Sequence, residues 1–205
     1  MPDTAEITIR PVVFEDLPQI NAIQAYYVNH TTINFAYTPD TLEDTTSAYN
    51  KVSADGFPYL VAADKSEKVL GYAYVQSFRG RRGYQHSAEL SIFVHPDATA
   101  MGIGTQLIQA ILAELRSNKE RSRLQHGIDP DVRGRDLVER LHGRTKRGDN
   151  IHQLLAIMTI DSDANKAGML KGFYERHGFV ETGILKEIGL KVGNWLSTRY
   201  MQVEI

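Results

Sequence analysis

The stretch from Ala88 to Thr105, AELSIFVHPDATAMGIGT, constrains this chain more than any other. Its first half alternates, with Ile92 and Val94 directed one way and Phe93 the other, which is the period of a β-strand. Pro96 stops that strand. Gly102 and Gly104 then expose backbone amides as a helical repeat begins, and a helix start with bare amides attracts phosphate. Leu107, Ile108, Ile111, Leu112 and Leu115 fall on one face, so Gly104 to Arg116 is predicted to be an amphipathic helix packed on a sheet.

The flanking segments supply the rest of that sheet. Ile7 to Arg10 alternates as a short strand ended by Pro11, and an amphipathic helix with Leu17, Ile20, Ile23 and Tyr27 follows, Pro18 suiting its first turn. Asn29 to Pro39 reads as a loop carrying Phe35 and Tyr37. Thr41 and Asp44 have the spacing of a capping box for a second helix through about Val52. Phe57 to Ala63 and Val69 to Phe78, separated by a charged turn, are expected to pair antiparallel. Phe78 to Tyr84 forms a basic bend with Arg79, Arg81 and Arg82. Arg79 and Arg81 share a side if that segment is extended, and guanidinium groups offer paired donors to a carboxylate; a solvated run of charge is the plainer alternative.

Asn118 to His152 breaks the periodicity and holds nine Lys or Arg against six Asp or Glu, so it is taken as an insertion, with Asp136 to Leu141 a candidate short helix. His126, His142 and His152 lack metal-ligand spacing, and no metal is expected. Gln153 to Ile160 reads as a buried strand. A helix from about Asn165 to Arg176 ends at Gly178, the expected left-handed cap, and two strands follow. The order β-α-α-β-β-β-α-insertion-β-α-β-β predicts an α+β fold: a mixed, mostly antiparallel sheet of about seven strands with about four helices.

Composition narrows the setting. A chain of 205 residues suits a single domain. The lack of cysteine excludes disulfides, thiolate zinc sites and cysteine nucleophiles, and favours an intracellular, cytoplasmic home. A net charge of −2 gives no bulk reason to expect nucleic acid or a membrane surface as partner. The longest apolar run, Leu154 to Met158, is five residues, where a membrane span needs about 20.

Taken together, the strand ending at Val94, the turn Thr99-Ala100-Met101-Gly102-Ile103-Gly104, its helix, and Tyr174-Glu175-Arg176-His177-Gly178-Phe179 resemble the GCN5-related N-acetyltransferases (GNAT). Thr32-Ile33-Asn34-Phe35, Phe78-Arg79-Gly80-Arg81 with Tyr84, Ala88-Glu89 and Gly193-Asn194-Trp195 resemble the phosphinothricin and methionine sulfoximine acetyltransferase group within it. The likeness covers nearly the whole chain outside residues 118–152. It departs from the usual pattern at Thr99, where Gln or Arg is common, and between Asn165 and Gly178, which is about two residues longer.

The resemblance implies acetyl-CoA as cosubstrate, a small-molecule amine as acceptor and a homodimer. It implies that the backbone of Ile92, Phe93 and Val94 meets the thioester arm where two strands splay. Thr99, Ala100, Met101, Gly102, Ile103, Gly104 and Thr105 would hold the pyrophosphate, with Asn165 and Tyr174 completing the cofactor site. Glu89 is implied as the base and Tyr174 as the proton donor to the thiolate, the alternatives being a strand carboxylate paired with the arginines and a packed aromatic. Arg79 and Arg81 would take the acceptor's carboxylate while Phe35, Phe78 and Tyr84 enclose its side chain. Against the amino-acid acetyltransferase stand a non-catalytic acyl-CoA-binding module and an enzyme acting on another small amine.

Overall fold

In the computed structural model the residues described are 7–126, 147–160 and 162–205. They form one seven-stranded sheet flanked by four α-helices. β1 (Thr8–Pro11) leads into α1 (Leu17–His30) and α2 (Leu42–Ala54), then β2 (Tyr59–Ala63), β3 (Val69–Ser77), β4 (Ser87–Val94) and α3 (Ile103–His126). β5 (Gln153–Thr159), α4 (Ala164–Glu175), β6 (Val180–Lys191) and β7 (Asn194–Glu204) complete the order. The strands lie as β1-β2-β3-β4-β5-β7-β6. Every neighbouring pair is antiparallel except β4–β5. The expected α+β class and its mostly antiparallel sheet are what the chain adopts.

Local chemistry explains the elements. Thr41 accepts from Asp44 N–H and the Asp44 carboxylate answers Thr41 N–H, closing the capping box that starts α2. Gly178 holds φ +87° after α4, where a side chain would be strained. On one face of the sheet α1 packs Leu17, Ile20 and Ile23 onto Val61 and Tyr72. On the other, α3 buries Leu107, Ile108, Ile111 and Leu115 against Ala73, Val75, Leu90 and Leu154. Each such side chain contributes about 1.5–3 kcal/mol of burial. Ile92 and Val94 pack toward α3 and Phe93 toward α1, as their alternation requires.

Two expectations are corrected. α3 does not end near Arg116 but runs to His126, so the first residues of the presumed insertion are helical. Ser117 to His126 contains neither Gly nor Pro, and a nucleated helix propagates through residues of fair propensity even after its apolar stripe stops. The far end is also part of the fold: Gly148 N–H donates to Asp55 C=O and Ile151 is buried. The helix expected over Asp136 to Leu141 lies outside the described residues. In the basic bend, Arg81 has extended backbone (φ −85°, ψ 143°), and Arg82–Tyr84 after it coil into a 3-10 turn closed by Tyr84 N–H on Arg81 C=O.

Candidate active site

β4 and β5 are paired only at Ser87–Gln153, Ala88–Leu154 and Glu89–Leu155. Beyond Glu89 the two strands have no register. On its other side β4 is bonded to β3 along its whole length, and the end bonds are Phe78 N–H to Ser87 C=O and His95 N–H to Leu70 C=O. In an antiparallel ladder the bonded groups alternate, so the odd-numbered peptides of β4 face β3 and those of Ile92 and Val94 face the gap toward β5. Tyr27 Oη donates to Val94 C=O at 2.6 Å. The Val94 amide therefore points into a cleft with its carbonyl already held. A flexible chain laid in this cleft as a further strand meets backbone donors, which suits the amide-bearing arm of acetyl-CoA.

At the cleft's end the chain turns sharply. Ala100 and Gly102 both lie in the left-handed region, at φ 66° and 76°. For Ala100 that conformation costs about 1–3 kcal/mol, a strain typical of anion-binding turns whose amides converge. The first intrahelical bond of α3 is Gln106 N–H to Gly102 C=O, leaving the amides of Ile103, Gly104 and Thr105 ahead of it. The first turn carries no acidic residue to offset the dipole. Met101 is exposed. Thr99 spends its hydroxyl locally on Pro96 C=O, so at that position the turn offers backbone rather than a side chain to a phosphate.

Gly71 lets α3 approach this closely, because a Cβ there would sit 2.9 Å from Phe93 O and 3.0 Å from Ile103 Cγ2. At Gly104 an added Cβ would touch the Phe173 ring at 3.5 Å, so Phe173 of α4 covers the glycine turn. The sequence reading named its neighbour Tyr174. Tyr174 is buried, edge-on to Phe173 and Phe179, and burial raises its pKa, keeping the phenol protonated. Asn165 is exposed in the first turn of α4, its amide held by the Asp163 carboxylate.

Glu89 sits at the vertex of the cleft, paired with Gln76 on β3 and Leu155 on β5. Burial raises its pKa. The alternative of a carboxylate paired with the arginines is not met among the described residues: Glu89 forms no ion pair there, and desolvation is the cause of the shift. Arg79 instead lies over Phe78 and Tyr84, its guanidinium carbon 5.3 and 5.8 Å from their ring centres. Those rings meet edge to face at 5.8 Å. Arg81 is exposed at the start of the 3-10 turn. Phe35 is apart from this trio, its ring against Gly189 of β6, where a Cβ would fall 2.6 Å from Phe35 Cζ.

A residue the sequence reading passed over holds that loop. Lys191 is 3% exposed, and its ammonium donates to Val28 C=O at 2.9 Å and Asn34 C=O at 2.6 Å. Burial lowers its pKa. Tyr37 Oη adds a bond to Leu190 C=O at 2.6 Å. The α1–α2 loop with Phe35 is thereby tied to the β6–β7 hairpin. No local pattern announces a buried lysine whose partners are backbone carbonyls far away in sequence.

Residues 22–143 match the profile of the Acetyltransferase (GNAT) family. Phosphinothricin N-acetyltransferase of Alcaligenes faecalis is 31% identical over 95% of this chain and 81% of its own length. The L-methionine sulfoximine/L-methionine sulfone acetyltransferase of Pseudomonas aeruginosa is 29% identical over 97% and 94%. The crystal structure of a GNAT superfamily phosphinothricin acetyltransferase from Sinorhizobium meliloti, in complex with acetyl-CoA, superposes with a TM-score of 0.74 at 25% identity, over 97% of this chain and 88% of that one. With the splayed strands and the glycine turn already in place, these likenesses establish that the chain belongs to the Acetyltransferase (GNAT) family and is an acetyl-CoA-dependent N-acetyltransferase.

Proposed function

We propose that this enzyme acetylates the α-amino group of a small amino acid or analogue, of the phosphinothricin and methionine sulfoximine type, by direct attack of the amine on the thioester. The observation that carries the proposal is at β4: a desolvated carboxylate without an ion-pair partner among the described residues stands at the vertex where strand pairing ends, with free amides a few residues on. Glu89 takes the proton of the attacking amine. The backbone along Ile92, Phe93 and Val94 lines the thioester arm, with the amides of Ile92 and Val94 facing it, the turn from Thr99 to Thr105 binds the pyrophosphate, and Asn165 and Tyr174 complete the cofactor site. As the new N–C bond forms and the C–S bond breaks, the Tyr174 phenol supplies the proton that the departing thiolate needs. Arg79 and Arg81 hold the acceptor's carboxylate, and Phe35, Phe78 and Tyr84 enclose its side chain.

The same reading makes residues 1–205 one GNAT domain, with an insertion over 118–152, acting on a small molecule in the cytoplasm rather than on nucleic acid or membrane. It also makes the enzyme a homodimer. The outer strand β6 and its hairpin support this, with Val180, Ile184, Leu185, Ile188, Leu190 and Trp195 all exposed, apolar side chains that a partner copy would cover.

Thiol release from acetyl-CoA with a panel of α-amino acids and their sulfoximine and phosphinate analogues tests the assignment. Turnover is expected with free α-amines, and Glu89→Gln should lower kcat/KM by about 10²–10⁴-fold. A Glu89→Gln enzyme equal to wild type on every active acceptor overturns the role of Glu89.

A further inference from the structure

The end of α1 and the loop after it bridge the cleft. Val94 ends β4 and Thr159 ends β5, so these two residues mark its lips beyond the point where strand pairing stops. Tyr27 Oη holds Val94 C=O at 2.6 Å on one lip. On the other, Thr159 Oγ1 lies 3.4 Å from Ile33 C=O. The bridge crosses the face of the sheet that carries the base: Leu90, Ile92 and Val94 pack with α3 and Phe93 with α1, and alternation along β4 puts Glu89 on the side of Phe93.

The far side of the bridge is fastened to β6. Gly189 and Lys191 are two apart on that strand and face the same way. Phe35 lies on the first, and the ammonium of the second donates to Val28 C=O and Asn34 C=O. Those carbonyls are six residues apart in the chain, and one cation joins them, which fixes the course of the backbone between them. The other ties are weaker. Tyr37, bonded to Leu190 C=O, is exposed to competing water, and 3.4 Å is long for a hydroxyl bond. Bonds from a charged donor are roughly twice as strong as neutral ones, and those of Lys191 are buried.

We propose that Lys191 is a positioning residue for the acceptor: its ammonium sets the shape of the bridge over the cleft and, through Asn34, the place of the adjoining Phe35 ring. It acts through the bridge rather than by touching either substrate. The proposal rests on the reading above at one point, that Phe35 borders the acceptor. The cofactor side is held independently, by the Tyr27–Val94 bond and by the glycine turn, neither of which uses an atom of Lys191. Loosening the bridge therefore weakens the acceptor's enclosure and leaves the cradle for acetyl-CoA in place.

Steady-state kinetics of Lys191→Met, with each substrate varied in turn, tests this. KM for the acceptor should rise about tenfold while kcat and KM for acetyl-CoA stay within about twofold, the pattern of lost binding without lost chemistry. Partial unfolding lowers kcat and leaves both KM values alone, so it is told apart. An unchanged acceptor KM, or one raised no more than that for acetyl-CoA, overturns the proposal. Lys191→Gln keeps N–H donors on a shorter chain; its acceptor KM should fall between the two, and the same criteria apply to it should Lys191→Met not fold. The route through Phe35 is tested by a double-mutant cycle. Phe35→Ala should raise the acceptor KM as well, and the double variant should be little worse than the more impaired single one; fold-changes that multiply overturn the route. The measurements use whichever amine is turned over. If it is not an α-amino acid, the amino-acid reading fails, and the effect of Lys191 is still decided on that amine.

Discussion

Glu89 illustrates how one side chain trades stability for chemistry. Its pKa is raised by burial, so the carboxylate that would accept the amine's proton is lost at a higher pH than an exposed glutamate's. kcat/KM is expected to fall as pH drops through that raised value, and Glu89→Gln should abolish this limb of the profile along with most of the rate. Because the folded state holds the proton more tightly than the unfolded chain, the stability the group confers is complete at acid pH, below its unfolded pKa, and is lost as pH rises through the folded pKa. The amide introduced by Glu89→Gln stays neutral at every pH, so the variant should melt higher than wild type at neutral pH, by calorimetry. Tyr27 belongs to the same scale. Its hydroxyl fixes the Val94 carbonyl, and Tyr27→Phe removes that bond, worth about 0.5–1.5 kcal/mol. The expected outcome in steady-state kinetics is a raised KM for acetyl-CoA of roughly threefold to tenfold, larger than any change in KM for the acceptor.

At the scale of elements, the α1–α2 loop depends on a strap. Lys191 satisfies carbonyls of Val28 and Asn34 from the start of the β6–β7 turn, the first of them in the last turn of α1, where a cation also suits the helix dipole. Lys191→Met keeps the volume and removes the donors, leaving buried carbonyls unpaired at a cost of about 1–3 kcal/mol. Chemical denaturation should show that loss, and limited proteolysis should cut the 31–40 loop faster than in wild type. The elements themselves were legible in sequence: the capping box, the alternation of β4 and the left-handed Gly178 all stand where local chemistry places them. Lys191 was not, because a lysine in a turn is ordinarily solvated and only the fold brings the two carbonyls to it. The length of α3 was missed for a related reason, since its last turns continue without the apolar face that marks the rest.

Across the whole molecule, one parallel junction in an otherwise antiparallel sheet creates the cleft. β5 reaches β4 after the long α3 crossover and runs alongside it for three residue pairs before diverging. The opposite edge, β6, ends the sheet of the described residues with exposed apolar side chains, which the proposed homodimer would cover. Replacing Ile184 and Ile188 together by Glu should shift the enzyme from dimer to monomer in light scattering, while a wild type that is monomeric at micromolar concentration overturns the proposed dimer.

The sequence by itself determined the order and type of the elements, the α+β class, the family and the position of the glycine turn, because periodicity, caps and turn residues are read within a few neighbours. It also pointed to Glu89 and Arg79, and left open whether they pair. Only the tertiary structure decided that Glu89 is desolvated and has no arginine partner among the described residues, that Arg79 lies on two rings, that Phe35 packs on Gly189 and that Tyr59, Tyr72, Tyr74 and Asp40 share a cavity. Desolvation, ion pairing and cavity shape are sums over groups distant in the chain, and no local pattern carries them.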